Sequence, residues 1–147
     1  MLYPLSYGRG TTTLRPAGPN PYSVAMARVL VVDDDPQVLT LLRVNFELEG
    51  YEVLSASDGE QALEIAWDEL PDAVVCDVMM PGTDGLTVLR QLRASPKTKT
   101  IPFVVVSAKA QRADIKAAIE MGADKYVTKP FDPQELLDAV AELLSRK

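Results

Sequence analysis

The sequence contains no histidine. Imidazole is therefore excluded as a metal ligand, a general base or a phosphoacceptor. It contains one cysteine, Cys76, so no disulfide can close within the chain and no multi-thiolate metal site can be built. Cys76 lies in an apolar run, where the expected role is a small core residue. No apolar run approaches the roughly 20 residues needed to span a bilayer. The N-terminus lacks the apolar core of a secretory signal. The expected compartment is therefore the cytoplasm, with no membrane partner. Positive charge is also scarce, with 15 Lys and Arg against 21 Asp and Glu, a net charge of −6. That balance argues against direct nucleic-acid binding by this chain alone.

What is present fits one soluble domain. A length of 147 residues leaves room for one proper core and little room for two. Residues 1–25 hold Pro4, Pro16, Pro19 and Pro21 with Gly8, Gly10 and Gly18, and no period of 2 or 3.6. This stretch reads as a disordered N-terminal arm. Alternatively Met26, directly before the first strand, is the true start. Residues 26–147 form the expected domain.

Short apolar runs alternate with amphipathic stretches along that domain. Strands are expected at Arg28 to Val32, Glu52 to Ala56, Ala73 to Cys76, Ile101 to Val106 and Lys125 to Thr128. Between them, Val38, Leu42 and Phe46 recur at helical spacing, and Gly50 ends that helix. Leu63, Ala66, Trp67 and Leu70 form a second stripe, with Ser57 as a candidate cap and Trp67 expected in the core. Leu86, Leu89 and Leu92 form a third. The fourth helix, Gln111 to Met121, carries a thin Ala-rich stripe. The last opens with Asp132, Pro133 and Glu135, the pattern of a capping box. Five strands alternating with five helices predict a doubly wound α/β fold with a parallel sheet. The flavodoxin-like order 2-1-3-4-5 places the first and third strands side by side at the switch point.

That order brings strand-end acids together. Asp33, Asp34 and Asp35 follow the first strand, and Asp77 follows the third. A strand-end acid on its own is often only a turn cap. Converging carboxylates, however, repel one another unless a cation neutralises them. With oxygen ligands only, a hard cation is selected, and Mg²⁺ is expected. Ser107 ends the fourth strand and can donate to a phosphoryl oxygen. Lys129 ends the fifth and can supply a positive charge to the same group. Pro130 after it suggests a cis peptide. Acids, a hydroxyl and a lysine on one edge describe a phosphoryl-transfer site, with Asp77 the natural nucleophile.

Four motifs carry a family resemblance. They are Val29-Leu30-Val31-Val32-Asp33-Asp34-Asp35, Asp77-Val78-Met79-Met80-Pro81-Gly82-Thr83-Asp84-Gly85, Val104-Val105-Val106-Ser107-Ala108, and Gly122-Ala123-Asp124-Lys125-Tyr126-Val127-Thr128-Lys129-Pro130-Phe131. The chain resembles the CheY-like receiver domain of two-component response regulators from residue 28 to about 146. The resemblance implies that Asp77 accepts a phosphoryl group from a sensor histidine kinase or phosphotransfer protein, making this a phosphoacceptor rather than an enzyme acting on other substrates. It also implies that the domain assists its own phosphorylation and dephosphorylation. Asp34 would bind Mg²⁺ directly and Asp33 through water, with Asp77 and the Met79 carbonyl as further ligands. Ser107 and Lys129 would contact the phosphoryl oxygens. Tyr126 would turn inward when Ser107 moves, so that the fourth helix, fifth strand and fifth helix present a changed surface to a downstream effector.

Two positions depart from one branch of that family. Receivers of the winged-helix DNA-binding class pair two subunits through charges on the last strand and helix. Lys125 stands where that class usually has an acid, and Ala139 where it usually has arginine. The expected state is a monomer or a weak, phosphorylation-dependent dimer. No output domain follows within these 147 residues, so the chain is a stand-alone receiver or part of a longer protein. One rival is a haloacid-dehalogenase-type phosphatase using Asp33-x-Asp35. It needs a further strand-end acid pair after the lysine and leaves Asp77 without a role. Another is a phosphorylation-independent interaction domain of the same fold, which leaves the acid, hydroxyl and lysine set without a purpose.

Overall fold

The computed structural model describes residues 27–146, and the expected arm over 1–25 lies outside them. The apolar runs become strands and the periodic stretches become helices. In chain order they are β1 (Arg28–Val32), α1 (Pro36–Leu48), β2 (Glu52–Ala56), α2 (Gly59–Glu69), β3 (Ala73–Asp77), α3 (Gly85–Ala94), β4 (Phe103–Ser107), α4 (Arg112–Met121), β5 (Lys125–Thr128) and α5 (Pro133–Ser145). All strand pairs are parallel and the sheet order is β2-β1-β3-β4-β5, as the alternation predicts.

The two-residue period of a strand divides the core between the sheet's faces. Leu30, Val32, Val74, Cys76, Phe103 and Val105 point to one face and pack beneath α2, α3 and α4. Val29, Val31, Val75, Val104 and Val106 point to the other, against Leu42 and Phe46 of α1 and Leu136, Val140 and Leu143 of α5. Because β3 and β4 are buried along their whole length, they carry no polar residue until the last position. The first polar residue of each, Asp77 or Ser107, marks its emergence at the C-terminal edge.

Some boundaries differ from the sequence reading. β4 begins at Phe103 rather than Ile101. Pro102 has no N–H for a ladder, and the Ile101 N–H is already donated to Thr98 O at 3.1 Å. The cap of α2 is Asp58, whose carboxylate accepts from Gln61 N, whereas Ser57 bonds Gln61 Oε1. Asp132 does cap α5, but through Gln134 N. Trp67 is not a core residue: it is 39% exposed and lines a shallow groove with Asp58, Glu64, Thr83 and Gln91.

Candidate functional site

Four helices start from an aspartate cap. Asp35, Asp58, Asp84 and Asp132 each accept from a backbone N–H in the first turn of α1, α2, α3 and α5. Those acids are accounted for by local structure. Asp33, Asp34 and Asp77 are not helix caps, and one carboxylate oxygen from each lies within 4.8 Å of the other two.

The two buried members divide their oxygens between two tasks. Asp33 Oδ1 accepts from Asp35 N at 2.9 Å, while Oδ2 faces Lys129 Nζ at 3.0 Å. Asp77 Oδ1 accepts from Met79 N at 3.2 Å, while Oδ2 lies 3.3 Å from the same ammonium. One oxygen of each thus fixes its own turn, and the other is turned into the cleft. The turn-cap and cleft readings of a strand-end acid are both satisfied, on different atoms. Asp33 and Asp77 are 2% and 4% exposed, whereas Asp34 is open to solvent.

Burial, followed by the charge of Asp33, pushes the Asp77 carboxyl above its ordinary range; the Lys129 charge and the Met79 N–H only partly offset this. Burial alone would lower Lys129, but its bond to Asp33 and the charge of Asp77 outweigh that, and the ammonium is held above its usual value. Three converging carboxylates beside one lysine leave negative charge uncompensated. With oxygen donors only, the pocket fits a hard divalent cation.

Ser107 is fully buried at the end of β4, and its Oγ accepts from Lys109 N at 3.1 Å. Its carbonyl accepts from Lys129 N at 2.8 Å, tying the hydroxyl-bearing strand end to the lysine-bearing one. The Lys129–Pro130 bond is cis, as expected from the sequence. Tyr126 is partly buried against the α2–α3–α4 side of the core, and its hydroxyl donates to Lys109 O at 2.7 Å. Met79 projects from the β3–α3 loop with 53% of its surface exposed. Cys76 is buried, and burial followed by the nearby carboxylates pushes its thiol far up, which leaves it unreactive.

The structure thus gathers Asp33, Asp34, Asp77 and Lys129 and joins Ser107 to them through the backbone. One positioning residue was not read from sequence. A Cβ on Gly85 would stand 2.2 Å from Asp77 O, so only glycine lets α3 start directly beneath the acid. The available signal was a glycine just after a helix-capping aspartate, inside the Asp77 motif.

A five-stranded parallel α/β sheet with an acidic pocket and a lysine at its C-terminal edge defines the class. Residues 29–141 match the response regulator receiver domain, and the chain belongs to that family. It is 44% identical over 119 residues to the alkaline phosphatase synthesis transcriptional regulatory protein PhoP of Bacillus subtilis, covering 81% of this chain and 49% of that protein. It spans about half the length of the curated relatives it matches. Among solved structures, a candidate response regulator from Chloroflexus aurantiacus is 41% identical with a TM-score of 0.77, covering 82% of this chain and 98% of that one. The receiver domain of sensor histidine kinase PA1611 from Pseudomonas aeruginosa, with a magnesium ion coordinated in its active-site cleft, is 28% identical. Its TM-score is 0.75, covering 82% of this chain and 98% of that one. No helix among the described residues is long and apolar enough to cross a membrane.

Proposed function

We propose that this receiver is switched by transfer of a phosphoryl group to Asp77. The observation that carries this reading is the placement of Asp77 Oδ2: it emerges from a buried strand end, faces Lys129 at 3.3 Å and shares a pocket with Asp33 and Asp34. In the step, an Asp77 oxygen attacks the phosphorus of a phosphohistidine on a kinase or phosphotransfer protein. A P–O bond forms as the P–N bond breaks, and the imidazole leaves with the electron pair. Hydrolysis of the acyl phosphate by water returns the carboxylate and releases inorganic phosphate.

Asp33, Asp34 and Asp77, with the Met79 carbonyl, would hold Mg²⁺. When bound, the ion offsets the repulsion between carboxylate and incoming phosphoryl group. Lys129 would exchange its carboxylate contacts for a phosphoryl oxygen. The Ser107 hydroxyl would donate to another, which requires its strand end to move. Tyr126, bonded to Lys109 two residues beyond Ser107, would relay that movement to the face formed by α4, β5 and α5.

The charges on that face support a monomer or weak dimer. Lys125 and Arg146 both pair with Glu142 of the same chain, and Ala139 is buried. The dehalogenase-type reading gains no support, because Asp132 caps α5 and Asp138 accepts from Gln134 within that helix. Incubation with acetyl phosphate and Mg²⁺, followed by intact-mass measurement of wild type and Asp77→Asn, tests the proposal. A phosphoryl adduct on the wild type alone is expected, and equal labelling of both overturns it.

A further inference from the structure

The two ends of α4 are held very differently. At its C-terminus, Gly122 adopts a positive φ of 117°, and the Arg93 side chain from the end of α3 lies across it. A Cβ on Gly122 would stand 3.0 Å from Arg93 Nε and 3.1 Å from Arg93 Cγ, so the glycine makes room for that side chain. Arg93 Nε and NH2 donate to Gly122 O at 3.1 and 2.9 Å, and NH1 donates to Ile101 O at 2.8 Å. NH2 also meets Asp124 Oδ2 at 3.1 Å. Asp124 is itself stitched to β4, its N–H to Phe103 O and its Oδ2 to Phe103 N, both at 2.8 Å. One arginine thereby joins the end of α3, the approach to β4 and the end of α4.

The N-terminus of α4 has no such hold. Gln111 makes no side-chain cap, and α4 alone among the five described helices lacks one. The first turn carries Arg112 against the helix dipole and Asp114 in its favour, so charge adds no net hold there. Ala118 is its one fully buried residue, and residues 108–113 are exposed. The Tyr126 hydroxyl on Lys109 O ties down the loop that leads into it.

From this asymmetry we infer that α4 moves as a lever, pivoting on the Arg93–Gly122 contact while its Gln111 end swings, with Arg93 the positioning residue that fixes the pivot. The inference rests on the proposed switching of this face for its trigger, but not for the built-in asymmetry. A helix pinned at the end far from Ser107, and held at the near end only through its loop on Tyr126, converts a small displacement of that loop into rotation of its exposed face. Arg112 and Ile115, farthest from the pivot, would move most relative to β5, and Met121 least.

Hydrogen exchange on the full chain tests this, read separately for residues 109–117 and 118–124. In unphosphorylated protein, 118–124 should exchange more slowly than 109–117. Arg93→Ala should raise exchange in 118–124 by roughly tenfold or more while leaving 109–117 nearly unchanged. Arg93→Lys, which keeps the charge but cannot make the forked contacts, should fall between and guards against a variant that fails to fold. With acetyl phosphate and Mg²⁺, exchange should change in 109–117 alone in wild type, and in both segments in Arg93→Ala. Intact mass on the same samples reports labelling, so loss of the Asp77 reading is distinguished from loss of the lever. Equal basal exchange in the two segments, or a response of equal size in both in labelled wild type, overturns the inference.

Discussion

Lys129 Nζ stands 3.0 Å from Asp33 Oδ2, and this contact joins the end of the first strand to the end of the fifth across the cleft. Replacing Lys129 by Met leaves two buried carboxylates without it. Breaking a buried ion pair costs about 3–5 kcal/mol, but this lysine is a quarter exposed, so a loss of about 1–3 kcal/mol is expected in EDTA. Urea unfolding measures it, and Mg²⁺ should recover part. Lys129 is held above its ordinary value of 10.5, so its contribution is fully present below that value. It fades as pH rises through the folded value. Above neutrality, the gap between wild type and variant should therefore close only in alkali, and on acidification it narrows as the partner carboxylates protonate.

Asp77 carries the opposite sign. Its carboxyl is raised by burial and by Asp33, so ionisation costs the folded state more than the unfolded chain. That cost is present once pH exceeds the folded value and disappears as pH falls toward the ordinary carboxylate value. In Mg²⁺-free buffer at pH 7, Asp77→Asn should unfold at a higher temperature than wild type. The advantage should shrink on acidification toward pH 4. A lower midpoint for the variant at pH 7 would contradict the like-charge account of the pocket.

Mg²⁺ should stabilise the wild type by mass action, by about 2.7 kcal/mol when free ion exceeds its Kd a hundredfold. Asp33→Asn and Asp34→Asn should each weaken this response. The two can be separated by their effect without metal. Asp34 is exposed, so its replacement should leave EDTA stability within about 0.5 kcal/mol. Thermal scans across a Mg²⁺ titration check both statements.

Met79 follows Asp77 by two residues and Lys109 follows Ser107 by two. Neither side chain is an amide or carboxylate able to orient an attacking water. A slowly decaying phosphoprotein is therefore expected. Met79→Asn should shorten its life by about tenfold, below the roughly hundredfold or more of a true general acid or base, because an amide only orients the water. Decay of the adduct after removal of donor is the measurement, and a wild-type lifetime of seconds would contradict the expectation.

The sheet order and the site were legible for a common physical reason. Strands buried on both faces must be apolar until they emerge, so Asp77 and Ser107 announce the edge by ending their runs. Lys129 was legible from its place at the end of the last strand. The Arg93 clamp was not, because it joins a helix end to a glycine 29 residues later through backbone carbonyls, which carry no side-chain signature. Trp67 was misplaced because it lies on the helical stripe that buries Leu63 and Ala66. The stripe is real, but near the end of α2 the described residues leave the ring 39% exposed, and Leu70 beside it 45% exposed. The α2 cap is Asp58 and not Ser57 because adjacent residues can both cap, and only backbone geometry selects between them.

The central claim is that Asp77 is the phosphoacceptor. Its most direct test is site mapping after incubation with acetyl phosphate in Mg²⁺ and borohydride trapping of the acyl phosphate. Reduction converts a phosphorylated aspartate to homoserine, which peptide mass spectrometry locates. The account predicts homoserine at position 77, dependent on Mg²⁺ and absent after EDTA. Homoserine at Asp33 or Asp34 in its place, or an unmodified Asp77 in protein whose intact mass carries the phosphoryl group, would contradict it.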